Sequence, residues 1–124
     1  MKQLEGLDEE TRKQIAEKKI YSYIGLAMKA GFLSGGDFMV EKMVKSGKAK
    51  LVLIAEDTAP NTRKKYENMC EYYKTCLYLF GTKESIGNAA GKEYRAILAI
   101  CDKGMAEAVK KQFASIDAAA LKAF

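Results

Sequence analysis

The 124-residue chain contains no histidine. That removes the commonest general base near neutral pH and the commonest zinc ligand. Three cysteines remain, Cys70, Cys76 and Cys101, with no CxxC pair, each in or beside an apolar stretch. Odd in number and dispersed, they read as buried reduced thiols, not as a disulfide framework or a metal site. No run approaches the roughly 18 to 20 unbroken apolar residues that span a bilayer. The opening residues MKQLEGLDEETRKQ are polar and acidic, unlike a signal peptide. The expectation is a cytoplasmic protein of one domain, with no membrane association, metal or cofactor.

What is present is a basic, helix-rich pattern. The composition is 48% hydrophobic and 30% charged, with a net charge of +5. A basic balance suits an anionic partner, although lysine-rich surfaces also serve solubility. Three short apolar runs, LVLIA at 51–55, LYLF at 77–80 and AILAI at 96–100, read as strands covered on both faces. FLS at 32–34 is a candidate fourth, edge strand. Helical patterns separate the runs. One spans Glu9 to Ala30 and stops at Gly31. Another starts at the single proline, Pro60, with Thr58 as its expected cap, and runs to Lys74. Two more cover Lys83 to Ala90 and Gly104 to Phe113. This alternation predicts an α/β fold, a three-layer α/β/α sandwich around a small mixed four-stranded sheet.

One segment is out of pattern. In GGDFMVEKMVKSGKAK, residues 35–50, Gly36 and Gly47 bracket an amphipathic helix. At about 100° per residue, Val40, Met43 and Val44 face the sheet with Met39 at the margin. Glu41, Lys42, Lys45 and Phe38 fall on the other side, with Phe38 within one turn of Lys42. Two readings compete. In one, Phe38 folds over a neighbouring loop, as first-turn aromatics do. In the other it is a stacking platform for RNA bases flanked by phosphate-binding lysines. Between Lys29 and Lys50 five lysines stand against two acids, Asp37 and Glu41, a local balance of +3. The helix start adds backbone N–H donors aimed at anions.

The strings GKAKLVLIAEDTAPNTRKKYENMC and TKESIGNAAGKEYRAILAI carry a family resemblance. The order is a glycine before a basic helix, then AKLVLIAED, a proline-started helix, a helix from TK to IG, and a GK loop. It resembles the kink-turn RNA-binding ribosomal proteins of the L-seven-Ae and L-thirty-e group, and most of all the small bacterial YlxQ-type members. The similarity runs from about Lys19 to Val109. It implies an α/β/α sandwich that binds kinked RNA duplexes with tandem sheared G·A pairs, in ribosomal or other structured RNA and in the company of ribosomal proteins. The implied contacts come from the start of the second helix and the loop before the last strand.

The family's usual helix start is Gly-Thr-Asn-Glu, with a lysine three residues beyond the glutamate. Here these positions hold Gly36, Asp37, Phe38, Met39 and Lys42, and the loop holds Lys92, Glu93, Tyr94 and Arg95 after Gly91. Gly36 and Lys42 keep close backbone approach and a positive contact. Phe38 and Met39 stand where polar side chains would read base edges, at a cost in discrimination of about 1–3 kcal/mol per lost contact. The resemblance therefore implies RNA binding with weaker kink-turn selectivity. Phosphate would be neutralised by Lys29, Lys42, Lys45 and Lys48, with stacking by Phe38 or Tyr94. A competing reading is a protein-interaction module anchored on Phe38, Met39 and Tyr94.

The remaining motifs are weaker. Glu56 and Asp57 lack a third ligand or a nucleophile, so Asp57 reads as the start of a turn, and no catalytic constellation is visible. GNAAGK at 87–92 lacks the spacing of a phosphate loop, and its glycines read as helix packing and termination. Residues 1–17 extend the first helix. ASIDAAALKAF, closing the chain from 114 to 124, reads as a further alanine-rich helical turn or two, completing a core or meeting a second copy.

Overall fold

The computed structural model describes Gly6 and residues 8–124; of the expected 1–17 extension, residues 1–5 and Leu7 lie outside the described residues. Helix α1, Glu9–Ala30, starts where the Asp8 carboxylate accepts the Thr11 N–H at 2.7 Å and ends on Gly31 in the left-handed region. Then follow β1 (Leu33–Gly35), α2 (Asp37–Lys45), β2 (Leu51–Ile54), α3 (Pro60–Tyr73), β3 (Cys76–Leu79), α4 (Lys83–Ala89), β4 (Ile97–Ile100) and α5 (Lys103–Ser115). The sheet order is β1-β4-β2-β3. β2 and β3 run parallel, and β4 is antiparallel to both β1 and β2. The expected mixed four-stranded sheet is present, between two helical layers.

The apolar runs are continuous because both faces of the sheet are covered. Leu51, Leu53, Leu98 and Ile100 point to one side, where they pack with Ile20 and Ile24 of α1, Ile86 of α4 and Phe113 of α5. Val52, Ile54, Ile97 and Ala99 alternate to the other side, against Val40 and Val44 of α2 and Tyr66 and Cys70 of α3. Cys70 and Cys76 are buried and Cys101 partly so; all are free thiols. Burial pushes the Cys70 thiol up to about 12, so it behaves as an apolar packing group.

Two local expectations are corrected. Thr58 is not the cap of α3. Ala59 holds that position without a side-chain acceptor, and Thr58 Oγ1 lies 3.5 Å from the Ala96 carbonyl. Nor does the closing segment continue as helix. Asp117, at φ 54°, turns the chain after α5, and the tail runs back along the outer edge of β3. Leu77 donates its N–H to the Lys122 carbonyl at 2.9 Å and accepts the Leu121 N–H at 2.7 Å. Edge hydrogen bonds and the packing of Leu121 into the core outweigh the helix propensity of a short alanine run. Removing residues 119–124 is therefore expected to lower the denaturation midpoint and cause concentration-dependent association. Equilibrium unfolding and gel filtration measure both, and wild-type behaviour in each would refute the edge-covering role.

Candidate nucleic-acid interface

Three chain segments meet at the end of the sheet where β4 begins. Gly36 donates its N–H to the Ile97 carbonyl at 3.2 Å, Ala55 donates to Ala96 at 2.9 Å, and Arg95 donates to Lys83 at 2.9 Å. The start of α2, the loop at 92–96 and the start of α4 are thereby neighbours. Asp57 accepts the Lys83 N–H at 2.8 Å, so this residue of the turn after β2 also fixes α4. Gly36 has φ 88° and ψ 156°, a conformation essentially confined to glycine.

The first helical hydrogen bond of α2 runs from Val40 N–H to the Gly36 carbonyl at 3.0 Å. The N–H groups of Asp37, Phe38 and Met39 thus have no acceptor within the helix. Phe38 is 79% exposed and Met39 39% exposed. At that exposure the ring is not folded over a loop of the described residues, which goes against the first of the two sequence readings. Lys42 is exposed one turn further on. Across the junction Tyr94 is 61% exposed, with Lys92 and Glu93 exposed beside it. The Arg95 side chain crosses Gly35, its Nε 2.9 Å from where a Cβ would stand, and its Nη1 donates to the Tyr94 carbonyl at 3.0 Å. Gly36, Phe38, Met39, Lys42, Tyr94 and Arg95 thus gather at one end of the molecule.

Other expected contacts are placed differently. Asp37 turns toward α3, where its carboxylate accepts from the Tyr66 hydroxyl and from Lys65 at 3.0 Å. Tyr66 Oη also donates to the Asp37 carbonyl at 2.8 Å. Glu41 holds Lys45 at 2.7 Å and Lys65 at 2.8 Å, so Lys45 already has an anionic partner. Lys48 lies past the far end of α2, where its N–H and that of Ala49 donate to the Met43 carbonyl. Lys29 closes the last turn of α1, just before Phe32, whose carbonyl accepts from Cys101 beyond the end of β4. Lys65 and Tyr66 are the residues that sequence pattern missed as supports for the α2 start. They lie 28 and 29 positions from Asp37, beyond any local periodicity.

This network has a defined pH window. The Tyr66 hydroxyl, and after it Lys65, hold the Asp37 carboxyl below its ordinary 3.8. Lys45, and after it Lys65, hold Glu41 down from 4.5 to about 2. Both folded-state values are depressed, so the stabilisation is complete above the ordinary values and is lost as pH falls through the depressed ones. Asp37→Asn should therefore be destabilising at pH 6 and converge on wild type as pH falls below the ordinary carboxylate value and through the depressed one. Tyr66→Phe, which keeps the buried ring, should cost about 1–2 kcal/mol at pH 6. Urea midpoints across that range measure both effects. An Asp37→Asn gap that does not narrow as pH falls would refute the assignment, whereas part of the Tyr66→Phe gap should persist through the Asp37 carbonyl contact.

The site sets two exposed aromatic rings, Phe38 and Tyr94, beside Lys42 and Arg95, neither of which pairs with an acid among the described residues, on a three-layer α/β/α sandwich. The chain belongs to the Ribosomal protein L7Ae/L30e/S12e/Gadd45 family, whose profile matches residues 18–110. It is 36% identical over 86 residues to the RNA-binding protein YlxQ of Bacillus subtilis (strain 168), covering 69% of this chain and 86% of that one. It is 37% identical over 95 residues to the RNA-binding protein YlxQ of Enterococcus faecium, covering 76% and 90%. Similarity extends to the large ribosomal subunit protein eL30 of Spodoptera frugiperda, 36% identical over 89 residues, covering 70% and 79%. A solved protein of unknown function from Bacillus halodurans C superposes with TM-score 0.72 at 32% identity, over 80% of this chain and 97% of that one. The Giardia lamblia 15.5kD RNA binding protein shares the fold, with TM-score 0.71 at 20% identity over 83% and 88% of the two chains.

Proposed function

We propose that this protein is a non-catalytic, cytoplasmic RNA-binding protein, acting as a single domain on ribosomal or other structured, kink-turn-like RNA. The observation that carries the reading is the meeting of the α2 start with the loop at 92–95, where Arg95 lies across Gly35. The relatives named as RNA-binding and ribosomal proteins support it. Phosphates meet Lys42, Arg95 and the free N–H groups of the α2 first turn, while unstacked bases lie on Phe38 or Tyr94. Shape carries the recognition, because Phe38 and Met39 offer no base-edge hydrogen bonds. Selectivity for a kink-turn over a straight duplex is therefore weaker than an asparagine and a glutamate at these positions would give.

Titration of the protein with a kink-turn RNA and a matched straight duplex at two salt concentrations tests this. Tighter, salt-sensitive binding to the kinked RNA supports the proposal. Equal, salt-sensitive binding removes the selectivity, and negligible binding to both removes the function. The exposure of Phe38, Met39 and Tyr94 favours one competing reading, a protein-interaction surface on the same fold. Partners that survive RNase treatment of a lysate in pull-down favour that reading, and partners that vanish with the RNA argue against it.

A further inference from the structure

The lysines that look continuous in sequence divide between two ends of the sheet, and the second group builds a feature of its own. Past the carboxyl end of α2 lies a groove lined by Phe32, Ser34, Met43, Lys48, Lys50 and Cys101, together with two glycines. None of these residues is acidic, and neither lysine takes part in an ion pair among the described residues. Lys50 Nζ donates to the Gly47 carbonyl at 3.0 Å. Asp102, the acid adjoining Cys101, is committed to capping α5 through the Met105 N–H at 2.9 Å. Burial raises the Cys101 thiol, while Ser34, Lys50 and Lys48 oppose that rise, so the lysine charge acts within the groove.

The acids of α2 are segregated from this side. Asp37 and Glu41 face α3, where Lys65 pairs with both. Met39 and Met43 lie one turn apart on α2, and Met43 lines the groove. The nine residues of α2 span about 13 Å, so one extended strand can touch both ends. Phe32 is 40% exposed, and a ring that stacks on bases needs them unstacked, as in a single strand.

We propose that this groove is a second RNA contact, in which Lys48 and Lys50 neutralise the phosphates of a single-stranded flank and Phe32 stacks on one of its bases. The assignment rests on the RNA-binding reading above for the α2 end, but the groove can be tested apart from it. Three probes serve: a kink-turn RNA, the same RNA with a six-nucleotide single-stranded tail, and octauridylate. The tail should tighten wild-type binding about tenfold, the value of one stacked base. In Lys48→Gln/Lys50→Gln that gain should vanish, and the slope of log K against log salt for the tailed RNA should fall by about 1.4, two contacts at 0.7 each. Binding of the untailed RNA should not change. Phe32→Ala should reduce the gain while leaving the lysine-dependent salt slope in place.

No gain from the tail, or a gain retained by the double variant, overturns the proposal. So does an equal loss on tailed and untailed RNA. Octauridylate separates the two readings. If the double variant abolishes its binding while Phe38→Ala and Lys42→Ala leave it intact, the groove stands even where the kink-turn reading fails. Competition by polyglutamate of matched charge, as effective as octauridylate, would overturn the RNA assignment.

Discussion

Gly87→Ala is expected to cost about 1–2 kcal/mol of stability and to weaken binding of structured RNA about tenfold. A Cβ at this position would lie 2.8 Å from both Cα and the carbonyl carbon of Tyr94, and 2.9 Å from Arg95 N. These are backbone atoms, so no rotamer change relieves the contact. α4 cannot tilt away, because Thr82 and Ser85 form a capping box at its start and Asp57 holds the Lys83 N–H. The loop at 92–95 must give, carrying Tyr94 and Arg95 with it. Alanine gains about 0.5–1 kcal/mol over glycine within a helix, but overpacking against backbone costs about 1–3, so the clash prevails. Denaturant midpoints and RNA titration measure the two effects, with Asn88→Ala, an exposed neighbour, as control. A variant as stable as wild type with unaltered affinity would show that the loop is not held by this contact.

Phe38→Ala should leave stability within about 0.5 kcal/mol of wild type yet weaken RNA binding about 5- to 150-fold. The ring is 79% exposed, so its removal opens no buried cavity. Loss of one stacked base is worth about 1–3 kcal/mol, whatever the base, since every base offers a π-face. Phe38→Tyr keeps the ring and should restore most of the affinity. Lys42→Ala separates charge from stacking, because it should reduce the salt slope as well as the affinity, whereas Phe38→Ala should leave the slope alone. Affinity unchanged by Phe38→Ala would mean that the ring is no platform, and would turn attention to a protein partner at the same surface.

How far the sequence was legible depends on how local the cause is. The stop of α1 at Gly31, the start of α3 at Pro60 and the inward faces of α2 at Val40 and Val44 were readable, because each depends on residues within a turn or two. The outward placement of Phe38 followed from the same periodicity. Thr58 was misread because a threonine two residues before a proline looks like a cap, while the turn after β2 directs its hydroxyl elsewhere. The alanine-rich tail was misread for a different reason. Its conformation is decided by the open edge of β3, a feature that exists only once β3 is placed outermost in the sheet.

The candidate interface shows the same division. Sequence by itself determined the inventory: a glycine and an aromatic at a helix start, a lysine one turn on, and a loop of Lys92, Glu93, Tyr94 and Arg95. It could not say which charges act together. Tertiary structure brought Arg95 across Gly35 and tied Asp37 to Tyr66. It also gave Lys45 to Glu41 and carried Lys48 and Lys50 to the far end of α2. The physical reason is distance along the chain. Periodicity sorts residues around one helix, whereas the field at a surface sums charges from several elements, and only the order and direction of the strands fix which elements meet.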